Sequence, residues 1–328
     1  MTATTLSNNQ TKTVFTIGRY FRDKFGVKVY KTPISIMGFT CPNIDGTVAK
    51  GGCIYCENES FSPNLSKEHK VFKLNPYLTE NPHIDKQLLQ LESQYNRYKK
   101  RLAKKFGAKK FIVYFQSFTN TYAPFSTLSA LYEKALELPD AIGISIGTRS
   151  DCISNEVLDF LRLKKDEGKE IWIEYGVQSA FNETLNAINR GHDFENAALW
   201  IKKTKEAGLN VCVHLIFGLP NETQEMMLQS VQSVIDLHVD AIKFHSLYVT
   251  KHTKLARDFK NGLFVPISEE LYLDTLIKAI KMLPSNIALQ RITAGVQDDT
   301  LLAPMWCYDS HMQKNRAKEA LKKAGLEY

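Results

Sequence analysis

The sequence lacks a hydrophobic stretch long enough to cross a membrane. No apolar run in its 328 residues reaches the roughly 18–20 residues that span a bilayer. The segment Met1–Lys12 is polar and rich in threonine and asparagine, so it also lacks the apolar core of a secretory signal. We therefore predict a cytoplasmic protein with no membrane partner.

Cysteine is scarce, with six residues at positions 41, 53, 56, 152, 212 and 307. Disulfides are typical of secreted chains, and a close cysteine cluster in a chain without a secretory signal indicates a metal or redox site. Cys152, Cys212 and Cys307 fit no ligand spacing. Cys212 falls within an apolar strand-like run, where a buried core position is expected.

Acidic residues are missing from the segment Arg97–Lys110, which carries eight lysines and arginines. The segment Lys314–Lys323 is also basic, and the whole chain has a formal net charge of +7. Basic patches of this kind attract polyanions such as RNA. A solvated helix face has the same composition, so charge alone leaves both interpretations open.

Strand-like and helix-like segments alternate along most of the chain. This order predicts a parallel sheet with crossover helices, and about six such units predict an α/β fold with a partial (βα)6-type barrel. We expect the barrel over residues 29–292, an N-terminal extension over 1–28 and a C-terminal extension over 293–328. The strand-like runs are Pro33–Phe39, Lys110–Phe115, Ala141–Ile146, Ile171–Val177, Asn210–Phe217, Ala241–Ser246 and Ile287–Ile292, and the helical segments are about 83–105, 126–138, 154–166, 181–207, 223–237 and 268–283.

Chemistry in a parallel barrel collects at the carboxyl ends of the strands. The cysteine cluster follows the first strand-like run, and polar segments follow the second and third at 116–120 and 147–151. Gln178 follows the fourth run and Gly218 the fifth. We therefore expect these segments to surround one site.

Three cysteines form the densest chemical motif, with the spacing C-x11-C-x2-C at Cys41, Cys53 and Cys56. Glycines at 46, 51 and 52 allow tight turns and a close approach of the backbone to an inorganic core. Structural zinc and ferredoxin-type sites usually have four ligands, whereas three thiolates leave one cluster iron open for catalysis. A zinc site completed by a remote His69 or His83 is the alternative, and a thioredoxin-like redox pair is less favoured because no such pattern surrounds it.

Several stretches together resemble a known family. They are Tyr20–Val29, Gly38–Ser62, Tyr114–Pro124, Gly147–Cys152 and Leu301–Trp306. The chain, from about residue 14 to 325, resembles the radical S-adenosylmethionine (SAM) superfamily, and within it the bacterial YhcC/YtqA-type group related to the radical SAM domain of the elongator catalytic subunit. The usual cysteine spacing of the superfamily is shorter, C-x3-C-x2-C. The resemblance implies a radical SAM barrel whose cofactors are a [4Fe–4S] cluster and SAM.

The resemblance also implies an activity. A reduced cluster would cleave SAM to methionine and a 5′-deoxyadenosyl radical, which removes a hydrogen atom from the substrate. Cys41, Cys53 and Cys56 would be the cluster ligands. Tyr55 would pack near the adenine, unless it only packs within its loop. An external electron donor such as flavodoxin or ferredoxin is implied as a partner.

The remaining site residues are inferred from similar motifs. Relatives carry a Gly-Gly-Glu motif that binds the SAM ammonium, and this chain has other polar residues at that place. The segment that begins at Glu174 resembles an E-x-G-x-Q-S run found in relatives. His192 belongs to an Arg-x-His pair, and a helix-capping or surface role is equally open for it. Lys243 and His245 share one strand face and are expected on the substrate side, although a core histidine is an equal alternative. The predicted cofactor-binding residues are Gln116, Ser117, Thr119, Asn120, Thr148, Arg149, Asp151, Glu174, Gln178, Arg190 and Gly218.

The substrate is the least constrained part of the prediction. The resemblance to the elongator catalytic subunit implies modification of a wobble-uridine side chain in tRNA, and the basic segment Arg97–Lys110 is compatible with RNA phosphates. A radical SAM enzyme acting on a small molecule or peptide is one alternative. A non-enzymatic iron–sulfur or zinc protein is another.

Overall fold

The computed structural model describes residues 11–57 and 72–328. His69, the segment Met1–Gln10 and part of the motif Gly38–Ser62 therefore lie outside the described residues. In chain order the strands are β1 (Lys12–Thr13), β2 (Val29–Ile34), β3 (Lys110–Phe115), β4 (Ala141–Thr148), β5 (Glu170–Gln178), β6 (Asn210–Phe217), β7 (Ala241–Ser246), β8 (Val249–Thr250), β9 (Ala288–Arg291), β10 (Leu301–Ala303) and β11 (Leu326–Glu327).

Eleven helices are found within the described ranges, besides short 3-10 turns at Ser150–Cys152 and Met305–Cys307. None of them is long and apolar enough to cross a membrane. They are α1 (Ile17–Phe25), α2 (Pro42–Asp45), α3 (Ile84–Phe106), α4 (Phe125–Glu137), α5 (Asn155–Asp166), α6 (Asn182–Ala187), α7 (Phe194–Glu206), α8 (Gln224–Ile235), α9 (Lys254–Lys260), α10 (Glu269–Met282) and α11 (Ser310–Lys323).

One parallel sheet of seven strands forms the centre of the molecule. Its order is β2-β3-β4-β5-β6-β7-β9, so the strands of this sheet pair in their order along the chain, as in a barrel, and only β8, which belongs to another sheet, is passed over. The sheet curls, and a hydrogen bond of 2.8 Å from Lys31 Nζ on β2 to Gln290 Oε1 on β9 joins the side chains of its two edge strands. The predicted α/β fold with a partial barrel is confirmed, and the seven strands of the sheet overlap the seven strand-like runs of the sequence.

The helices cover the outside of the sheet because each carries one apolar face. Leu128, Leu131 and Ala135 on α4, for example, are buried in a core that continues under the neighbouring helices. Side-chain caps begin several helices, such as Ser154, which accepts the N–H of Val157. The core thus holds the strands in place, and the strands position the loops at their carboxyl ends.

Two predicted elements are wrong in detail. The first strand begins at Val29, and Ser35–Thr40 is irregular because side chains bind its backbone instead of a neighbouring strand. The N–H and C=O of Ser35 contact the Gln94 amide at 2.9 and 2.8 Å. The helix predicted over 181–207 is broken into α6 and α7, since Asn189 and Gly191 adopt left-handed conformations with φ of 56° and 78°.

The first and last strands of the described residues meet. β1 pairs with β11, and Thr16 bridges to Leu289 of β9. β8 and β10 form a separate antiparallel pair. The division into residues 1–28, 29–292 and 293–328 stays a prediction, although the strands of the large sheet fall within Val29–Arg291.

Candidate active site

A cavity of about 540 Å³ lies at the carboxyl ends of the strands and extends into the barrel. It gathers most of the residues predicted from the sequence. Those that line it are Cys41, Cys53, Tyr55, Cys56, Gln116, Thr119, Thr148, Arg149, Glu174, Gln178, Arg190, Lys243 and His245. Ser117, Asn120, Asp151 and Gly218 are not among the lining residues.

The three cysteines reach the cavity through a compact loop. Cys41 precedes α2, and the chain then turns through Gly46, Gly51 and Gly52, whose φ angles of 92°, 85° and 77° favour glycine. A hydrogen bond of 2.9 Å from Cys56 N–H to Cys53 O closes the C-x2-C turn. The loop therefore presents three thiols to one space, where a thiophilic metal centre is the group that their chemistry fits.

The electrostatics of the loop support the same fit. Burial, together with the neighbouring Cys53 and Cys41, raises the pKa of the Cys56 thiol. Three neighbouring thiolates are costly to bury without positive charge between them. His83, one of the two alternative zinc ligands, is the residue just before α3. Its ring centre is 4.5 Å from that of Phe72, and it does not line the cavity.

Two arginines flank the sulfurs. Arg149 Nη1 lies 3.8 Å from Cys41 Sγ, and its Nε and Nη2 bind the Asp151 carboxylate at 2.8 and 2.6 Å. Arg190 Nη1 lies 3.8 Å from Cys53 Sγ, and its Nη2 donates to Gly176 O at 2.6 Å. Asp151 thus orients Arg149 from outside the cavity, and the two guanidinium groups favour negative charge on the sulfurs.

The cysteine loop is fastened to the connection between α6 and α7. Asn43 Nδ2 donates to Asn189 O at 2.6 Å and to Arg190 O at 2.9 Å. In return Asn189 Nδ2 donates to Gly52 O at 2.7 Å, and Ile54 N–H to Ile188 O at 3.1 Å. Asn43 and Asn189 were missed by sequence reasoning. Their closeness to Cys41 and Arg190 along the chain is the signal that points to them.

A buried carboxylate dominates the interior of the barrel. Glu174 is fully buried and receives hydrogen bonds from the ammonium groups of Lys31 and Lys243. His214 Nε2 and Ser145 Oγ contact the same carboxylate at 2.8 and 2.6 Å. The sequence predicts Glu174 as a contact of SAM, whereas in the structure protein groups already occupy its oxygens. Lys31 was missed, because a single lysine in a strand has no distinctive pattern.

The charges in this network are set by burial and by one another. Burial raises the pKa of Glu174, but Lys243 and Lys31 outweigh it and hold that pKa well below the usual range. Burial lowers the pKa of Lys243 to about 8, against the attraction of Glu174. Burial also lowers the pKa of His214 to about 4, so the ring is neutral at pH 7. Because the ionised Glu174 only accepts hydrogen bonds, His214 carries its proton on Nε2.

His245 lies above this network on the same face of β7 as Lys243. Its ring centre is 5.4 Å from that of His214. Burial, then the positive charge of Arg291, lowers the pKa of His245 well below its usual value. A neutral histidine and a lysine of lowered pKa therefore face the cavity together.

The other lining residues are held by local contacts. Gln178 ends β5 at a register shift, with φ of 74°. Thr148 Oγ1 bonds Thr121 Oγ1 at 2.5 Å, and Thr119 N–H donates to Thr40 O at 3.2 Å. Tyr55 packs against the apolar cluster that includes Leu185 and also lines the cavity, so loop packing and a cofactor contact are compatible.

Several predicted residues have structural partners instead of a place in the cavity. Ser117 Oγ contacts Ser35 Oγ at 2.6 Å. Asn120 Nδ2 donates to Phe115 O at 3.2 Å and Gly147 O at 2.9 Å, which joins the ends of β3 and β4. Gly218 faces Ile267, where a Cβ atom would approach to 2.6 Å. His192 Nδ1 lies 3.1 Å from Asp193 O, the residue that caps α7.

Comparisons with known proteins assign this chain to one family. Residues 45–234 match the radical SAM superfamily, and residues 239–323 match the radical SAM C-terminal domain. Protein YhcC of Escherichia coli (strain K12) is 36% identical over 284 residues, which are 87% of this chain and 84% of YhcC. The tRNA uridine(34) acetyltransferase of Methanocaldococcus infernus is 30% identical over 159 residues, which are 47% of this chain and 29% of that protein.

Among solved structures, Methanocaldococcus infernus Elp3 with an N-terminal deletion (1–46) has a TM-score of 0.56 at 18% identity, covering 91% of this chain and 64% of that one. This likeness confirms the curled parallel sheet. The superfamily match confirms the predicted cofactor set, since radical SAM proteins use a [4Fe–4S] cluster and SAM. With more than half of its residues matched and a relative aligned over most of its length, this chain belongs to the radical SAM superfamily.

Proposed function

We propose that the protein cleaves SAM reductively at a [4Fe–4S] cluster to a 5′-deoxyadenosyl radical and uses that chemistry to modify a wobble-uridine side chain in tRNA. The observation that carries the proposal is the meeting of three cysteines, two arginines and a polar barrel interior around one cavity. In this proposal Cys41, Cys53 and Cys56 hold three irons. An external donor such as flavodoxin or ferredoxin supplies the electron.

The residues beside the cysteines are suited to orient SAM. Arg149 and Arg190 present guanidinium groups to the sulfurs, and a guanidinium binds a carboxylate through two parallel hydrogen bonds. The buried Nε of Arg190 has no hydrogen-bond partner in the described part of the chain, so it remains available to a ligand. Gln116, Thr148 and Gln178 add neutral oxygens that accept from an ammonium or a hydroxyl. Tyr55 offers a flat apolar face to the adenine.

The interior of the barrel is suited to the substrate. Lys243 and His245 line the cavity below the cysteine loop, and the ion pairs of Glu174 hold Lys243 in place. Enclosure of the reacting atoms within the barrel excludes water, which protects reactive intermediates from side reactions. We propose that these two residues contact the substrate group that is modified.

The tRNA part of the proposal has two supports. The name of one relative, at 30% identity over 47% of this chain, is tRNA uridine(34) acetyltransferase. The second support is the surface of α3 and the turn after it, where basic side chains are exposed to solvent and spaced along one element. They are Arg97, Lys100, Arg101, Lys104, Lys105 and Lys109. A row of exposed cations is the usual contact for a phosphate backbone. The cytoplasmic location predicted from the sequence accompanies this proposal.

The wobble-uridine claim predicts a change in cellular tRNA. In a strain lacking the gene, mass spectrometry of tRNA nucleosides is expected to show loss of one modified wobble uridine and accumulation of its precursor. The wild-type gene restores the profile. An unchanged profile would remove tRNA as the substrate and favour a small molecule or peptide.

The exposed basic face of α3 predicts a measurable salt dependence. Lys104 and Lys105 are replaced together by glutamine. The logarithm of the association constant for tRNA falls linearly with the logarithm of the salt concentration, and the double variant is expected to reduce the steepness of that line by up to about 2, since each phosphate contact contributes about 0.7–0.9. Filter binding of tRNA between low and moderate salt measures the slope. The matched control is Lys165→Gln with Lys202→Gln, two exposed lysines on α5 and α7. Equal slopes in the two double variants would exclude α3 as the contact.

Asn43 provides a test of the loop that holds the cysteines. Asn43→Ala removes two hydrogen bonds to the main chain of Asn189 and Arg190, and an orphaned buried carbonyl costs about 1–3 kcal/mol. We expect the reconstituted protein to lose iron to a chelator faster than wild type. Absorbance of the iron–chelator complex measures the rate. Asn196→Ala, on the outer helix α7, is the control, and equal rates would contradict the role of Asn43.

A further inference from the structure

A β-bulge in the last strand of the sheet turns two consecutive side chains toward the barrel interior. Lys243 of β7 pairs with Arg291, while Ile242 pairs with Leu289, so Gln290 is an extra residue in β9. Bulges re-aim side chains and are frequent beside functional sites. Here the bulge lets Gln290 reach Lys31 while Arg291 lines the cavity.

Arg291 is an exposed cation that lines the cavity. No carboxylate pairs with it among residues 11–57 and 72–328, since the carboxylate of this region, Glu174, is paired with Lys31 and Lys243. Its positive charge reaches the groups beside it, because it adds to burial in lowering the pKa values of His245 and Lys243. One carboxylate against three cations leaves this part of the cavity positively charged.

A hydrogen-bonding group of the cavity also lacks a partner within the described ranges. His245 lines the cavity, and its Nε2 is buried and unpaired. Gln290 Nε2 is buried and unpaired as well, but Gln290 does not line the cavity and holds Lys31 through its Oε1. A buried polar atom without a partner is costly, which favours a ligand that forms a hydrogen bond with His245.

We propose that Arg291, together with His245, binds an oxyanion group of the substrate, a carboxylate or a phosphate. The inference rests on the proposed function, because the substrate is the molecule modified in this cavity. The site is separate from the arginines beside the cysteine sulfurs. A substrate that lacks the oxyanion leaves the guanidinium and the imidazole unpaired, and a site built for a polar group discriminates strongly against such an analogue. Arg291 is in this sense a specificity-determining residue.

The test uses the reconstituted holoprotein with saturating SAM, so that the carboxylate site near the cysteines is filled. Binding of ¹³C-acetate and of inorganic phosphate is measured by line broadening in ¹³C and ³¹P spectra, at an ionic strength kept constant with sodium chloride. The variants are Arg291→Gln and Arg291→Lys, and the matched control is Arg162→Gln on the exposed face of α5. Iron content and far-ultraviolet circular dichroism show whether each variant is folded and loaded.

Wild type and Arg162→Gln are expected to bind at least one of the two anions saturably. Arg291→Gln is expected to raise the dissociation constant of the anion by about tenfold or more, because the charge-assisted hydrogen bonds from the guanidinium are lost. Arg291→Lys keeps the positive charge but cannot donate two parallel hydrogen bonds, so its dissociation constant should lie between those of wild type and Arg291→Gln. Binding of acetate alone identifies a carboxylate site, and binding of phosphate alone a phosphate site.

Equal constants in wild type and both Arg291 variants, an equal loss in the Arg162 control, or no saturable binding in wild type would each overturn the proposal. The assay contains no tRNA. Its outcome is therefore independent of the nucleoside profile, and failure of the tRNA claim can be distinguished from failure of the oxyanion site.

Discussion

Cys41→Ser is expected to abolish formation of 5′-deoxyadenosine from SAM. It should also lower the iron content below the about four iron atoms per chain that a [4Fe–4S] protein holds. Cys41 is the most informative of the three cysteines, because it lies before residue 45, where the superfamily match begins. A serine hydroxyl stays protonated near neutral pH and does not replace a thiolate as a soft ligand. The loss should exceed the roughly 10–100-fold that results from removal of an outer-shell partner.

The measurements are iron per chain after anaerobic reconstitution and 5′-deoxyadenosine by chromatography after addition of dithionite and SAM. Cys152→Ser is the matched control, since Cys152 lies near Arg149 but does not line the cavity. It should retain iron and SAM cleavage. Full iron and activity in Cys41→Ser would remove Cys41 from the ligand set. A single tetrahedral zinc without SAM cleavage in wild type would remove the radical mechanism itself.

Glu174→Ala should give the largest loss of stability among the site variants. The side chain of Glu174 is 0% exposed, and its two ammonium partners, Lys243 and Lys31, are 6% and 17% exposed. Removing the carboxylate leaves the buried charge of Lys243 and the partly buried charge of Lys31 without compensation. Breaking a buried ion pair from one side costs about 3–5 kcal/mol, and we expect the free energy of unfolding to fall by about that amount.

Denaturant unfolding of the purified chain measures the change, with Glu206→Ala as control. Glu206 is exposed at the end of α7, where a substitution usually changes stability by less than about 0.5 kcal/mol. The double variant Glu174→Leu with Lys243→Met should recover part of the loss, because an apolar pair replaces one of the two ion pairs. A loss below about 1 kcal/mol in Glu174→Ala would contradict the assigned network.

Glu174 also shows where sequence reasoning reached its limit. The motif that begins at Glu174 predicts a residue at the site, and the side chain does line the cavity. Its partners come from β2, β4, β6 and β7, which are as much as 143 residues away along the chain in the case of Lys31. Only the curl of the sheet brings Lys31 across to Glu174. The same curl joins Lys31 to Gln290 on the far edge strand.

Breaks in helices and strands were also not predicted from the sequence. The helical periodicity over 181–207 is real, but the left-handed residues Asn189 and Gly191 divide it and place Arg190 beside Cys53. A Cβ atom at Gly191 would lie 2.7 Å from Asn43 Oδ1, so the turn depends on a neighbour that is distant in sequence. The bulge that directs Arg291 into the cavity likewise depends on the pairing of β9 with β7.

The sequence alone determined the alternation of strands and helices, the family, and the cysteine motif with its glycines. These are local properties, set by periodicity, spacing and backbone freedom, and most of the predicted side chains lie just after strand ends that meet at one edge of the sheet. The tertiary structure decided which polar side chains face the cavity and which ones pair with each other. Asn120 and Gly218, which were predicted to bind a cofactor, make structural contacts. Lys31 and Asn43, which were not predicted, contact residues of the site, and Arg291 lines the cavity. The physical reason is that burial and charge pairing depend on neighbours brought together by the fold, and the network around Glu174 is complete only when the curl of the sheet brings β2 toward the later strands.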